Sequence, residues 1–193
     1  MEQLLEWDKR LVLYLNGLHA SWLDTIMYWI TKTEFWIPLY LLLLFFIIKS
    51  YRNTSWIIIV GIVITILLAD QVTSGLMKPY FERLRPSHDP VLADLIHTVN
   101  GYTGGLYGFA SSHAANTFGI ALYCWLILKD KYPRIWIIFI WAILVSYSRI
   151  YLGVHFPGDI LVGALVGMTA AFLCVLLTRF LLRKYRIDDT IFS

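Results

Sequence analysis

Apolar positions gather in five long runs, over about 34–48, 54–77, 113–128, 135–150 and 159–182. A helix needs about 20 residues to cross ~30 Å of hydrocarbon, and each run is near that length. The charge-free parts of the first and fourth runs hold 14 residues each, so Tyr, Trp, Lys and Arg at the interface are expected to complete those crossings. Ahead of the runs, residues 3–16 set Leu4, Leu5, Trp7, Leu11, Val12, Tyr14 and Leu15 among charged positions. That pattern suits an amphipathic helix lying in the membrane interface, and residues 21–31 read as a second short segment of this kind. Glu2, Glu6, Asp8, Lys9 and Arg10 crowd the start, which argues against a cleavable signal peptide. The predicted fold is all-α, a polytopic membrane helix bundle. Interfacial helices occupy 1–33, about five transmembrane helices occupy 34–182, and 183–193 form a basic and polar cytoplasmic tail.

Composition agrees. Of 193 residues, 59% are apolar and 15% charged, against about 45–50% and 25% in an ordinary soluble domain. These figures argue against a lone soluble enzyme and exclude a disordered chain, a collagen and a disulfide scaffold. Cys124 and Cys174 lie inside apolar runs and read as buried thiols. The net charge of +3 is too small and too scattered for a nucleic-acid partner. Its placement is more informative. Lys49 and Arg52, then Lys129, Lys131 and Arg134, then Arg179, Arg183, Lys184 and Arg186 all fall on one side of a five-span arrangement. Basic connections stay in the cytoplasm. Residues 1–33, 78–112 and 149–158 are therefore expected on the extracytoplasmic face of the cell membrane.

That second face collects the reactive side chains. Lys78, Arg85 and Arg149 supply fixed positive charge, and the planar fork of arginine suits phosphate oxygens. Ser111 and Ser112 precede the third span as N-cap candidates, where free N–H groups and the helix dipole favour an anion. His113 follows on the first turn. His155 and Asp159 stand four apart around Pro157 and Gly158, so the carboxylate can hold one ring nitrogen and leave the other free to attack. One histidine held by an acid and a second near a leaving group divide into nucleophile and general acid. No acidic cluster or HExxH spacing points to a metal, and no cofactor is expected.

The arrangement resembles the type 2 phosphatidic acid phosphatase family of integral membrane lipid phosphatases. Its first motif, KxxxxxxRP, stands here as Lys78 to Arg85 and Pro86. Its second, PSGH, stands as Ala110, Ser111, Ser112 and His113, with alanine for proline and serine for glycine. Its third, SRxxxxxHxxxD, stands as Ser148 and Arg149, then His155, then Asp159. The resemblance covers about 35–182. It implies a metal-independent phosphatase in which His155 attacks phosphorus, Asp159 orients it and His113 protonates the leaving oxygen. Lys78, Arg85, Arg149, Ser111 and the Ser112 backbone would hold the phosphoryl oxygens. The soluble vanadium haloperoxidases share these motifs, but the composition argues against that branch.

A lipid phosphate is the expected substrate, with a polyprenyl (undecaprenyl) diphosphate as first choice. Phosphatidylglycerol phosphate, phosphatidic acid and a lipid A phosphate are alternatives. A non-enzymatic, anion-binding membrane transporter is the competing class. Asp70, Thr73, Ser74 and Lys78 share one helical stripe, read as either support for the phosphate site or a helix–helix contact. Arg83 is expected to be a surface charge, and the Gly-rich stretch 101–108 a flexible cover. His19, His88 and His97 are expected in surface or loop roles, and Asp188 and Asp189 in a solvated tail.

Overall fold

The structure is a computed structural model describing residues 2–191, with side chains through 185. The side chains of Arg186, Asp188 and Asp189 lie outside those described. The chain is all-helical: α1 (Glu2–Asn16), α2 (Ser21–Ile30), α3 (Ile37–Tyr51), α4 (Ser55–Asp70), α5 (Lys78–Phe81), α6 (Ser112–Leu128), α7 (Ile138–Tyr151) and α8 (Pro157–Ile191). Among the described residues the only β pairing is one isolated bridge, Leu84 with Tyr107.

Each predicted apolar run forms a helix of the bundle. Three stretches are long and apolar enough to cross a membrane, Thr33–Phe81, Pro133–Tyr151 and Pro157–Tyr185. The first doubles back at Arg52, where φ is +43°, so that α3 and α4 lie side by side. At 1.5 Å per residue α6 is only about 25 Å long. It is the central helix, however, with most of its side chains buried against α4, α7 and α8. Its core neighbours include Ile58, Trp141, Ala171 and Val175, with both free cysteines buried among them.

The close pairing of α6 with α8 has a sequence cause. Gly163 and Gly167 sit four apart on one face of α8. A Cβ at Gly163 would fall 2.3 Å from the Ser111 carbonyl oxygen, and one at Gly167 1.8 Å from that of Ala115. Small residues at this spacing let two backbones touch inside a membrane. Asp159, one turn before Gly163, is thereby brought against the start of α6, where the Ser111 N–H donates to its carbonyl at 3.0 Å.

The basic clusters share one end of the bundle. Lys131 Nζ donates to the Ser50 carbonyl, Tyr51 to that of Ile127 at 2.7 Å, and Arg179 to that of Leu126 at 2.7 Å. The three motifs occupy the opposite end. There α1 and α2 dock: Asn16, 1% exposed, donates to the Tyr151 carbonyl at 2.8 Å and accepts from the His97 N–H at 2.8 Å. Leu4, Trp7, Leu11 and Tyr14 on the outer side of α1 remain exposed.

Candidate active site

Between α4 and α5 the helix widens into a π-helical stretch, Gln71–Met77, which delivers Lys78 toward α6. Such widened turns recur at functional positions. The polar stripe is a supporting relay. Ser74 donates to Asp70 Oδ1 at 3.2 Å, and Lys78 Nζ to Ser74 Oγ at 3.2 Å. Lys78 also donates to Ser112 Oγ at 2.9 Å, and the same oxygen accepts from Thr73 at 3.0 Å. The serine that stands where the family motif has glycine thus anchors Lys78. Ser111 is the N-cap of α6, accepting from the Ala114 N–H at 3.4 Å, whereas Ser112 is already the first helical residue.

His155 lies on the connection between α7 and α8 and is 1% exposed. Its Nδ1 is 3.4 Å from Asp159 Oδ2, which also accepts from the Phe156 N–H at 3.0 Å. Burial, reinforced by the charges of Arg149, Arg85 and Lys78, holds the His155 pKa well below the ordinary imidazole value. These effects favour the neutral ring, and the tautomer that carries its proton on Nδ1, toward Asp159, would leave Nε2 a free lone pair. His113, on the first turn of α6, lies within electrostatic reach of Arg149, His155, Lys78 and Arg85.

The two arginines are buried and only partly satisfied. Arg85 Nε donates to the Tyr107 carbonyl at 3.1 Å. Arg149 donates from Nη1 to Thr31 Oγ1 at 2.5 Å and from Nη2 to the Tyr102 hydroxyl at 3.1 Å. Arg85 Nη1 and Arg149 Nε are buried without a partner. An unmet buried N–H is costly, and a phosphoryl oxygen is its natural complement. The Gly-rich stretch presses directly on this pair. Gly104 has φ +67°, and a Cβ there would fall 2.4 Å from Arg85 Nη1.

Arg83 is not the surface charge expected from the sequence. Its Nη1 donates to Asp159 Oδ1 at 2.8 Å and its Nη2 to Asp8 Oδ2 at 2.7 Å, with the guanidinium 4.0 Å from the Phe156 ring centre. Asp8 in turn accepts from the Gly158 N–H at 2.8 Å, at the start of α8. Sequence reasoning misses Asp8, Thr31 and Tyr102 as well, because their partners lie far along the chain. The available signal was an aspartate inside the apolar pattern of α1. His97, in a loop, pairs with Asp24 at 2.9 Å and stacks on His19, which fastens α2, while the His88 ring lies 3.2 Å from the Ser87 hydroxyl. Among the described residues no three His, Cys, Asp or Glu side chains converge as a metal site would require.

A polar cavity of about 200 Å³ opens here, lined by Lys32, Glu34, Tyr102, His113 and Arg149. Residues 59–183 match the PAP2 superfamily. The chain belongs to that superfamily. Relatives of this PAP2 protein include the lipid A 4'-phosphatase of Porphyromonas gingivalis, 40% identical over 87% of this chain and 71% of the relative. The lipid A 4'-phosphatase of Bacteroides thetaiotaomicron is 38% identical over 86% of this chain and 75% of the relative. The crystal structure of Aquifex aeolicus LpxE superimposes with a TM-score of 0.62 at 26% identity, covering 86% of this PAP2 chain and 93% of that one.

Proposed function

We propose that this PAP2 protein hydrolyses a phosphomonoester of a membrane lipid through a phosphohistidine on His155. One observation carries the reading: two unpartnered, buried arginine N–H groups stand beside a neutral, carboxylate-held histidine. His155 Nε2 attacks phosphorus and the bond from phosphorus to the lipid oxygen breaks. His113, protonated when the substrate dianion is bound, gives that oxygen its proton. A water activated by His113 then attacks the phosphohistidine, releasing inorganic phosphate and restoring both rings. Arg85, Arg149, Lys78, Ser111 and the Ser112 N–H hold the phosphoryl oxygens and stabilise their charge in a dry site.

An acylated saccharolipid phosphate of the lipid A kind is the favoured substrate, supported by the names of the two relatives above. The polyprenyl diphosphate expected first from the sequence takes second place. The basic end of the bundle is assigned to the cytoplasm, so the active site faces the extracytoplasmic side of the cell membrane. The test is phosphate release in detergent micelles, with excess EDTA, from lipid A phosphate, undecaprenyl diphosphate, phosphatidylglycerol phosphate and phosphatidic acid. Release is expected with chelator present, fastest from lipid A phosphate. Binding without turnover on every substrate would favour the transporter reading, and activity restored only by Mg²⁺ or Zn²⁺ would contradict the cation-only site.

A further inference from the structure

Beneath the phosphate site the bundle holds a second, partly open cavity of about 430 Å³ between α3, α4, α6 and α7, with aliphatic walls that include Leu43, Ile62, Val63 and Ile66. That volume lies within the range of small-ligand sites. His113 borders both this cavity and the polar one, so the two meet at the catalytic end. A slot that begins at the reacting phosphate and continues between apolar helices fits the hydrocarbon chain of the substrate.

Two atoms do not fit a slot made for hydrocarbon alone. Trp141 Nε1 and Asn116 Oδ1 both belong to cavity-lining residues, and both are buried without a hydrogen-bond partner. Trp141 is only 5% exposed, and its indole is set edge-on against the rings of Trp36 and Tyr40 at 6.0 and 5.9 Å. Within a bilayer such unmet groups are costly, and phenylalanine and leucine would line a purely apolar slot without that cost. Asn116 follows His113 by three residues, which puts it about 4.5 Å deeper along α6. An acyl carbonyl or a chain hydroxyl sits a few bonds from the phosphate of an acylated lipid, at a depth comparable to that of Asn116. A polyprenyl chain presents nothing polar there.

We propose that Asn116 and Trp141 form a polar subsite that selects acylated lipid phosphates over polyprenyl ones. The Trp141 N–H donates to an acyl carbonyl, and Asn116 Oδ1 accepts from a hydroxyl or amide N–H on the same chain. The inference rests on the hydrolase reading and names the substrate class of that site.

Three single-chain glycerol phosphates of equal length test it in detergent micelles with the full chain: 3-hydroxyacyl, plain acyl and alkyl ether, with p-nitrophenyl phosphate as a chain-free reference. The expected kcat/KM falls in that order, about tenfold at each lost hydrogen bond. Trp141→Phe removes the step between acyl and ether, and Asn116→Leu removes the step between hydroxyacyl and acyl. Equal turnover of all three by the unmodified protein overturns the proposal, and so do steps that survive the substitutions. The first comparison needs no variant, so a misfolded substitution leaves the test decisive. If no phosphate is released even from p-nitrophenyl phosphate, the hydrolase reading fails and the subsite with it.

Discussion

Arg83→Met isolates the link between the N-terminal helix and Asp159, the carboxylate proposed to orient His155. Methionine keeps apolar contact with Phe156 and removes the charge that bridges Asp8 and Asp159. Removing one partner of a buried ion pair costs about 3–5 kcal/mol. Here Asp159 is fully buried, but the Arg83 and Asp8 side chains are 20% and 14% exposed. Asp159 also keeps the Phe156 N–H, and Asp8 keeps that of Gly158. These retained partners and the solvent reduce the expected loss to about 2–3 kcal/mol, read as a lower Tm in micelles. The catalytic effect is separate. On the proposed mechanism Asp159 orients His155, and a misplacement near 1 Å costs about 100-fold in rate. We expect kcat for lipid phosphate hydrolysis to fall about 30- to 100-fold, with KM changed by no more than about twofold. Asp8→Asn should be milder, below about tenfold, because its Oδ1 can still cap α8. The double variant should be no worse than Arg83→Met, since both remove one shared interaction. Wild-type kcat and Tm in Arg83→Met would restore the surface-charge reading and refute the clamp.

Gly167→Ala should destabilise the bundle by about 1–3 kcal/mol or more, because its Cβ would enter the Ala115 carbonyl, whereas Gly105→Ala, with nothing within 4 Å, should leave Tm unchanged. His155 should stay neutral on lowering the pH through 6.5 when followed by ¹⁵N NMR of labelled histidines, since burial and three cations depress its pKa. The sign carries into stability: the unfolded chain takes this proton near pH 6.5 and the folded chain only at lower pH, so this group's contribution is lost as pH falls below about 6.5. A His155 resonance titrating at 6.5 in the folded protein would contradict that. His113→Ala should retain a larger fraction of activity on p-nitrophenyl phosphate than on a lipid alcohol phosphate, because a good leaving group needs less protonation. Equal proportional losses would make His113 a phosphate ligand instead of an acid.

The sequence made the helices and the candidate site residues legible for different reasons. Apolar runs report burial in lipid directly, so all five predicted runs correspond to helices, and the parity of basic residues matches their common end in the structure. The three motifs are local, so the positions of His155, Asp159, His113 and Arg149 needed no long-range information. What remained hidden depends on pairing between distant segments. Arg83 looks like any interfacial cation until Asp8, 75 positions away, is folded against it. Thr31 becomes a partner of Arg149 across 118 positions, which makes the N-terminal helices part of the site. Gly163 and Gly167 carried a readable small-residue spacing that only the approach of α6 explains. The widened turn before Lys78 leaves no mark in an apolar pattern, and neither does the cavity beneath His113.

Rapid-quench trapping of the covalent intermediate tests the central claim most directly. The full-length protein in micelles, mixed with ³²P-labelled lipid phosphate and quenched in alkali within the first turnover, should carry label that is stable to base and lost in acid. Peptide mapping should find that label on His155, and His155→Ala should show neither label nor turnover. Label on another residue, or phosphate release by His155→Ala, would contradict the account.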